Sequence, residues 1–197
     1  MVDLLKMIYY WVCTGFAAVV SFCFYPCRVY GRENVPKKGG FILASNHESN
    51  IDPVLLPVAC PRRMRFLAKD SLFKPPVLGA IIRFGGGIPL KRASADRGAL
   101  SEALFQLEQG WPVLIFPQGT RGGTKIQAGV GFLAVKSGMP VVPVYIEGTG
   151  KVLPKGTKFP RRTAVKVIFG KPFRLSSDIP FVDAAEMVMQ KIQQLSS

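Results

Sequence analysis

The chain has 197 residues, which is enough for one domain with a sizeable core, and 48% of them are hydrophobic. Its formal net charge of +14 indicates an anionic partner: nucleic acid, an acidic membrane surface, or an acidic substrate or carrier. A mean hydropathy of +0.24 together with this charge favours an anionic membrane surface, and the lack of any nucleic-acid-binding motif argues against nucleic acid. The four cysteines form no Cys-x-x-Cys pair, so we expect neither a zinc site nor a disulfide framework.

The chain opens with an apolar segment. Residues 7–27 contain no charged side chain, and the run is long enough to cross a hydrocarbon core of about 30 Å as one helix. Gly15 and Pro26 interrupt the run, so a helical pair that re-enters one leaflet fits the pattern equally well. More positive charge follows the run than precedes it, which places the remainder of the chain on the cytoplasmic side.

A cleaved signal peptide is the alternative interpretation of this segment. Its amino-terminal part is weakly charged, with Lys6 beside Asp3, and no small-x-small cleavage site precedes Arg28. We therefore predict a membrane anchor at residues 1–28, as one helix or a helical pair, and a second domain at residues 29–197.

Beyond residue 40, predicted strands and helices alternate. The apolar runs typical of buried strands lie at residues 41–45, 65–68, 88–90, 113–116, 141–146 and 165–169. One helix is expected to begin at Pro53, a second to follow a cap at Ser94, and a third to occupy residues 130–136 and end at Gly138. A last helix near the carboxyl terminus would have an apolar face formed by Val182, Ala185, Met189 and Ile192. This alternation predicts an α/β fold with a mostly parallel central sheet flanked by helices.

A polar loop, residues 46–52, follows the first of these strands, where α/β folds usually bind ligands. It holds His47, the only histidine of the chain. An imidazole accepts a proton near neutral pH when an acceptor holds its other nitrogen, and Asp52 across the turn can supply that acceptor. Asp52 before Pro53 is also a good helix N-cap, and a lone loop histidine is often idle, so spacing alone does not decide between these roles.

Two further segments carry cations beside glycines. Residues 116–121 (FPQGTR) leave a buried strand, and their glycines allow backbone amides to approach an anion while Arg121 offers a planar fork for phosphate. Residues 85–92 combine a glycine turn with Lys91 and Arg92, which are either solvated surface or a second phosphate contact. A Pro-Gly turn with one arginine is common, so neither segment is diagnostic alone. The run at residues 141–145 suits either core or the wall of an acyl groove.

Together and in this order, these segments resemble the glycerolipid acyltransferase family, specifically the bacterial 1-acyl-glycerol-3-phosphate acyltransferases. The family's Asn-His-x4-Asp block corresponds to residues 46–52, its glycine-to-arginine block to residues 86–92, and its Val-Pro-Val block to residues 142–144. Its Phe-Pro-Glu-Gly-Thr-Arg block corresponds to residues 116–121, except that Gln118 replaces the glutamate. The segment around Lys69 is similar to the family's lysine-containing linker.

The resemblance implies a mechanism. His47 would remove the proton from the sn-2 hydroxyl of lysophosphatidic acid, Asp52 would orient the ring, and the hydroxyl would attack the acyl thioester directly to form phosphatidic acid. The donor would be acyl-CoA or acyl-acyl carrier protein, with no cofactor or metal, at the cytoplasmic face of the inner membrane. The remaining implied roles are oxyanion stabilisation by Lys69 or nearby backbone amides, and binding of the acceptor phosphate by Gly119, Thr120, Arg121 and Arg92.

Two other interpretations stay open. Gln118 motivates a lipid-binding or scaffold protein that has lost activity. An enzyme that acylates glycerol-3-phosphate or lyso-ornithine lipid is the catalytic alternative.

Overall fold

The protein is described by a computed structural model that covers residues 26–197 except 92–95, 124, 155, 158, 160 and 197. Among the residues described, seven strands form one sheet in the order β1-β7-β6-β2-β5-β3-β4. The strands are β1 (Cys27–Tyr30), β2 (Ile42–Ser45), β3 (Arg65–Lys69), β4 (Gly87–Leu90), β5 (Val113–Ile115), β6 (Val141–Glu147) and β7 (Val165–Phe169). Only β6 and β7 pair antiparallel, so the prediction of a mostly parallel sheet is confirmed.

Six α-helices connect or follow these strands in the described part of the chain. They are α1 (Asp52–Ala59), α2 (Pro76–Phe84), α3 (Arg97–Glu108), α4 (Gly129–Ser137), the single turn α5 (Thr149–Val152) and α6 (Phe181–Gln193). Short 3-10 helices occupy Arg32–Asn34, Asp70–Phe73 and Gln194–Ser196. Proline at the first turn suits α1, because its missing N–H has no helical partner there. Gly138 ends α4 in the left-handed conformation, as predicted.

Two apolar clusters pack on the two faces of the sheet. Leu43 and Leu114 face α1, whereas Ile42 and Val113 face α3, α4 and α6. Side chains alternate across a strand, so consecutive apolar residues fill both cores and the strands form continuous apolar runs. The run at residues 141–145 belongs mainly to the core, since Val142 and Val144 are fully buried in the same cluster as Leu43 and Leu114.

The structure corrects several details predicted from the sequence. The cap of α3 is Asp96, whose side chain accepts from the Ala99 amide at 3.1 Å, and not Ser94, which lies outside the described residues. Val182 is 58% exposed and points away from the core face of α6, which Ala184 and Val188 complete. The sequence pattern predicts neither β1 nor α2.

The predicted membrane anchor lies mostly outside the described residues. Strand β1 begins at Cys27, so Cys27 and Arg28, the last residues assigned to that segment, are part of the sheet. None of the helices described in residues 26–197 is long and apolar enough to span a membrane.

Candidate active site

The candidate site begins where β2, the central strand of the sheet, ends. The side chain of Asn46 donates to the Ile146 carbonyl oxygen and accepts from the Ile146 amide, both at 2.7 Å. This amide side chain therefore continues the pairing of β2 with β6 for one further residue and fixes the direction in which the chain enters the loop. Asn46 belongs to the Asn-His-x4-Asp motif, but nothing in the sequence indicates that its side chain pairs with the backbone of Ile146.

His47 and Asp52 meet as the five-residue spacing predicted. Nδ1 of His47 lies 2.9 Å from Oδ2 of Asp52, and the two side chains are 7% and 0% exposed. A carboxylate only accepts hydrogen bonds, so in a neutral imidazole this pairing assigns the proton to Nδ1 and leaves the lone pair on Nε2. This arrangement gives the imidazole the orientation of a general base.

Asp52 holds the loop as well as the histidine ring. Its Oδ2 atom accepts from the backbone amides of Glu48 at 2.7 Å and Ser49 at 2.8 Å. Asp52 is the first residue of α1, and the preceding Ile51 is the N-cap without a side-chain cap. The carboxylate therefore faces back into the loop, where it contacts His47 and does not cap α1.

The ring of Phe116 supports the other side of the imidazole. The centroids of Phe116 and His47 are 4.2 Å apart, and their planes differ by 23°, which is a stacked arrangement. Together with the bond to Asp52, this contact restricts rotation of the imidazole about its side-chain torsions. No sequence signal indicated this role of Phe116, because 69 positions separate it from the histidine in the chain.

Gln118 joins the two loops of the site. Its Oε1 atom accepts from the His47 amide at 2.9 Å, and its Nε2 atom donates to the Gly123 carbonyl at 2.7 Å. A backbone amide must donate and a carbonyl must accept, so both partners fix the orientation of the glutamine amide. The Gly122 amide adds a third link, donating to the His47 carbonyl at 2.9 Å. Gln118, which replaces the glutamate of the family block, therefore forms hydrogen bonds through both polar atoms of its side chain.

The glycines of this loop shape it and do not present free amides. Gly119 and Gly122 have φ values of 64° and 63°, a region that favours glycine. The amides of Gly119, Thr120, Gly122 and Gly123 all donate to carbonyl oxygens of the protein. This corrects the expectation that the glycine amides approach an anion. The exposed side chains of Thr120 and Arg121 are the groups that this loop offers to a ligand.

Lys69 and Lys91, two further cations assigned from the sequence, lie apart from this centre. Lys69 is exposed at the end of β3, two strands from β2, which corresponds to roughly 10 Å between backbones. No described hydrogen bond or ion pair joins it to His47. Lys91 is exposed at the end of β4, where its amide donates to Asp96 at 2.8 Å. Arg92 lies outside the described residues.

Glu48 is an acidic neighbour that the sequence motifs did not single out. Its Oε2 atom accepts from the Gly150 amide at 3.3 Å, which links the loop to the start of α5. Partial burial raises the pKa of the Glu48 carboxyl, and the negative charges of Asp52 and Glu147 add to the shift. Among the described residues, no group of three His, Cys, Asp or Glu side chains could hold a metal ion.

A model of the acyltransferase family matches residues 26–147, which include all the side chains placed around His47. The chain belongs to the acyltransferase family.

Individual members of this acyltransferase family are similar over most of the chain. The 1-acyl-sn-glycerol-3-phosphate acyltransferase of Bacillus subtilis is 26% identical over 179 residues, which cover 86% of this chain and 88% of that protein. The chloroplastic 1-acyl-sn-glycerol-3-phosphate acyltransferase BAT2 of Brassica napus is 29% identical over 175 residues, 85% of this chain and 51% of that one. The chain thus spans about half the length of such chloroplastic relatives.

A solved structure of the family has the same fold. The crystal structure of the 1-acyl-sn-glycerophosphate (LPA) acyltransferase PlsC from Thermotoga maritima superposes with a TM-score of 0.80 at 29% identity. The match covers 100% of this chain and 83% of that one.

Proposed function

We propose that this acyltransferase transfers a fatty acyl group from a thioester to the sn-2 hydroxyl of 1-acyl-glycerol-3-phosphate and so forms phosphatidic acid. The observation that carries the proposal is the buried His47–Asp52 pair, in which Nδ1 of the imidazole lies 2.9 Å from Oδ2 of the carboxylate. The choice of acceptor is supported by the activities for which the relatives from Bacillus subtilis and Thermotoga maritima are named.

The reaction follows from the geometry of the histidine. Nε2 of His47 takes the proton of the acceptor hydroxyl while that oxygen bonds to the thioester carbonyl carbon. The imidazolium is stabilised by the Asp52 carboxylate, which two backbone amides hold in place. The C–S bond then breaks, and the thiolate leaves and takes up the proton. A thiolate is a good leaving group, so we propose that the reaction uses no metal or other cofactor.

The acceptor phosphate is proposed to bind at the loop that follows β5. Arg121 is exposed there, and no described acidic side chain pairs with it. The loop is tied to His47 through Gln118 and Gly122, so a phosphate bound by Arg121 would lie on a loop that is anchored to the segment carrying the base. Thr120 adds a hydroxyl at the same loop. On the basis of the family resemblance, we further propose that Arg92 assists in binding this phosphate and that Lys69 contacts the oxyanion.

The donor and the location are proposed on chemical grounds. Acyl-CoA and acyl-acyl carrier protein both present the thioester that this chemistry needs. The net charge of +14 and the uncharged run at residues 7–27 support attachment to an anionic membrane, at the cytoplasmic face of the inner membrane.

An acceptor panel tests the proposal. Purified protein is mixed with either donor and with lysophosphatidic acid, glycerol-3-phosphate or lyso-ornithine lipid, and the released thiol and the lipid product are measured. We expect the fastest thiol release with lysophosphatidic acid, accompanied by phosphatidic acid. Faster turnover of one of the other acceptors would reassign the substrate, and no turnover with any pair would favour a lipid-binding or scaffold protein.

A further inference from the structure

Helix α2 carries an apolar face directed away from the rest of the described structure. Val77 is 73% exposed, Leu78 41% and Ile81 46%. The opposite side of the helix packs tightly: Gly79 is buried, and a side chain there would collide with the carbonyl oxygen of Phe73. The tight contact fixes which side of α2 faces outward, so the exposure follows from the packing of the fold.

The charged residues of the segment that contains α2 all have the same sign, and the aspartates at 70 and 96 lie just outside it. Residues 71–95 contain no aspartate or glutamate, although they include four lysines and arginines. Two of these, Lys74 and Arg83, are exposed at the two ends of α2. The Arg83 guanidinium lies 5.5 Å from the centroid of the Phe73 ring, beside the helix. An apolar helical face with cations at its borders complements a bilayer that has acidic headgroups above an apolar interior.

The position of α2 relative to the candidate base fits the same partner. Strand β2, which leads to His47, is central in the sheet, with three strands on each side. Pro26 leads into β1, the strand at one end of the sheet, whereas α2 lies next to β4, the strand at the other end. Neighbouring strands are about 4.8 Å apart, so β1 and β4 are separated by roughly 29 Å. Both β1 and the connection from β3 to α2 begin at the edge that carries His47, because β1 runs antiparallel to the central strands.

We propose that the Val77, Leu78 and Ile81 face of α2 lies in the surface of an anionic bilayer. With the segment that enters at Pro26, it would give the domain two membrane contacts on opposite sides of His47. Two separated contacts restrict tilting, so the edge that holds the base would face the lipid acceptor. The choice of a bilayer as partner rests on the proposed function, but the first test below requires no turnover.

Quenching by brominated lipid tests the contact directly. Ile81→Trp is prepared in the full chain, with Val182→Trp as the matched control, because Val182 is 58% exposed on α6. Each protein is added to phosphatidylglycerol vesicles with and without brominated acyl chains. We expect brominated lipid to remove most of the added fluorescence of Ile81→Trp and little of that of Val182→Trp. Equal quenching of the two variants would overturn the proposal.

The same variant distinguishes other occupants of the face. Blue-shifted emission from position 81 that brominated lipid does not quench would overturn the bilayer contact and mean that protein covers the face. In that case, a change of oligomeric state in Ile81→Glu, measured by sedimentation, would identify a second copy, and no change would identify another segment of this chain.

A second readout links the contact to the acceptor. Ile81→Glu should raise the vesicle concentration needed for half-maximal turnover about tenfold, the cost expected for losing one buried isoleucine. Val182→Glu should leave that concentration unchanged. An unchanged value in Ile81→Glu would contradict the proposal, whereas absence of turnover in the parent protein with quenching intact would count against the proposed function alone.

Discussion

The side chain of Gln118 offers a sharp test of how the two loops of the site are held together. In Gln118→Glu, the carboxylate can still accept from the His47 amide, but it cannot donate to the Gly123 carbonyl, which lies 2.7 Å from Nε2 in the parent. The bond to Gly123 is lost, and two acceptor oxygens face each other in a partly buried site. We expect a loss of about 1–3 kcal/mol in the free energy of unfolding.

This loss is measurable as a shift in thermal unfolding. For a chain of this size, 1 kcal/mol corresponds to roughly 2–4 °C, so Tm should fall by about 2–12 °C. Gln190→Glu on α6 is the control, since Gln190 is exposed and its substitution should leave Tm nearly unchanged. Turnover should stay within about tenfold of the parent, because the acceptor for His47 remains.

Lowering the pH provides a check on the physical cause. A protonated glutamate has the hydroxyl donor that the carboxylate lacks, so it can again donate to Gly123. The difference in Tm between Gln118→Glu and the parent should therefore shrink as the pH falls toward the ordinary glutamate pKa of about 4.3. A variant as stable as the parent at pH 7, with turnover restored from an inactive parent, would refute this account of Gln118 and support loss of function in the natural chain.

Substitutions at three other positions address separate parts of the site. Arg121→Ala should raise the acceptor KM roughly tenfold to a hundredfold with much less effect on the donor KM, and the reverse pattern would assign Arg121 to the donor. Phe116→Ala should lower kcat about twofold to tenfold by freeing the His47 ring, while Phe116→Leu should lose less; equal rates for parent and both variants would dismiss the stacking role. Burial raises the pKa of Glu48, so its ionisation opposes folding as pH rises above the unfolded value. Glu48→Gln should therefore gain Tm relative to the parent between pH 5 and 8, a gain that disappears near pH 4, and a pH-independent difference would contradict this.

The sequence predicts the layered fold because its strands are short apolar runs between turn residues. The run that forms β7 is predicted residue for residue, because its apolar residues alternate along the strand and Val165, Val167 and Phe169 are buried in one of the two cores. Helix α2, in contrast, could not be predicted from the sequence pattern. Its apolar residues face outward, and the prolines at 75 and 76 with glycines at 79 and 85 are typical of loops. Strand β1 is hidden because its first residue continues the preceding apolar run.

The contacts of the site were predictable where they join residues close in the sequence and not where they join distant segments. His47 and Asp52 are five residues apart, so a single turn brings them together and the motif alone predicts the pair. The stacking of Phe116 and the bonds of Gln118 depend on β2 and β5 being neighbours in the sheet. That pairing joins segments about 70 positions apart, and periodicity within one segment carries no information about it.

The central claim is that His47 is the general base, and His47→Ala tests it most directly. The variant and the parent are assayed for thiol release from the acyl donor in the presence of lysophosphatidic acid, after circular dichroism has established that both are folded. The account predicts that kcat falls by about 10²-fold to 10⁴-fold, the usual contribution of a positioned general base. A folded variant that turns over at nearly the parent rate would contradict it.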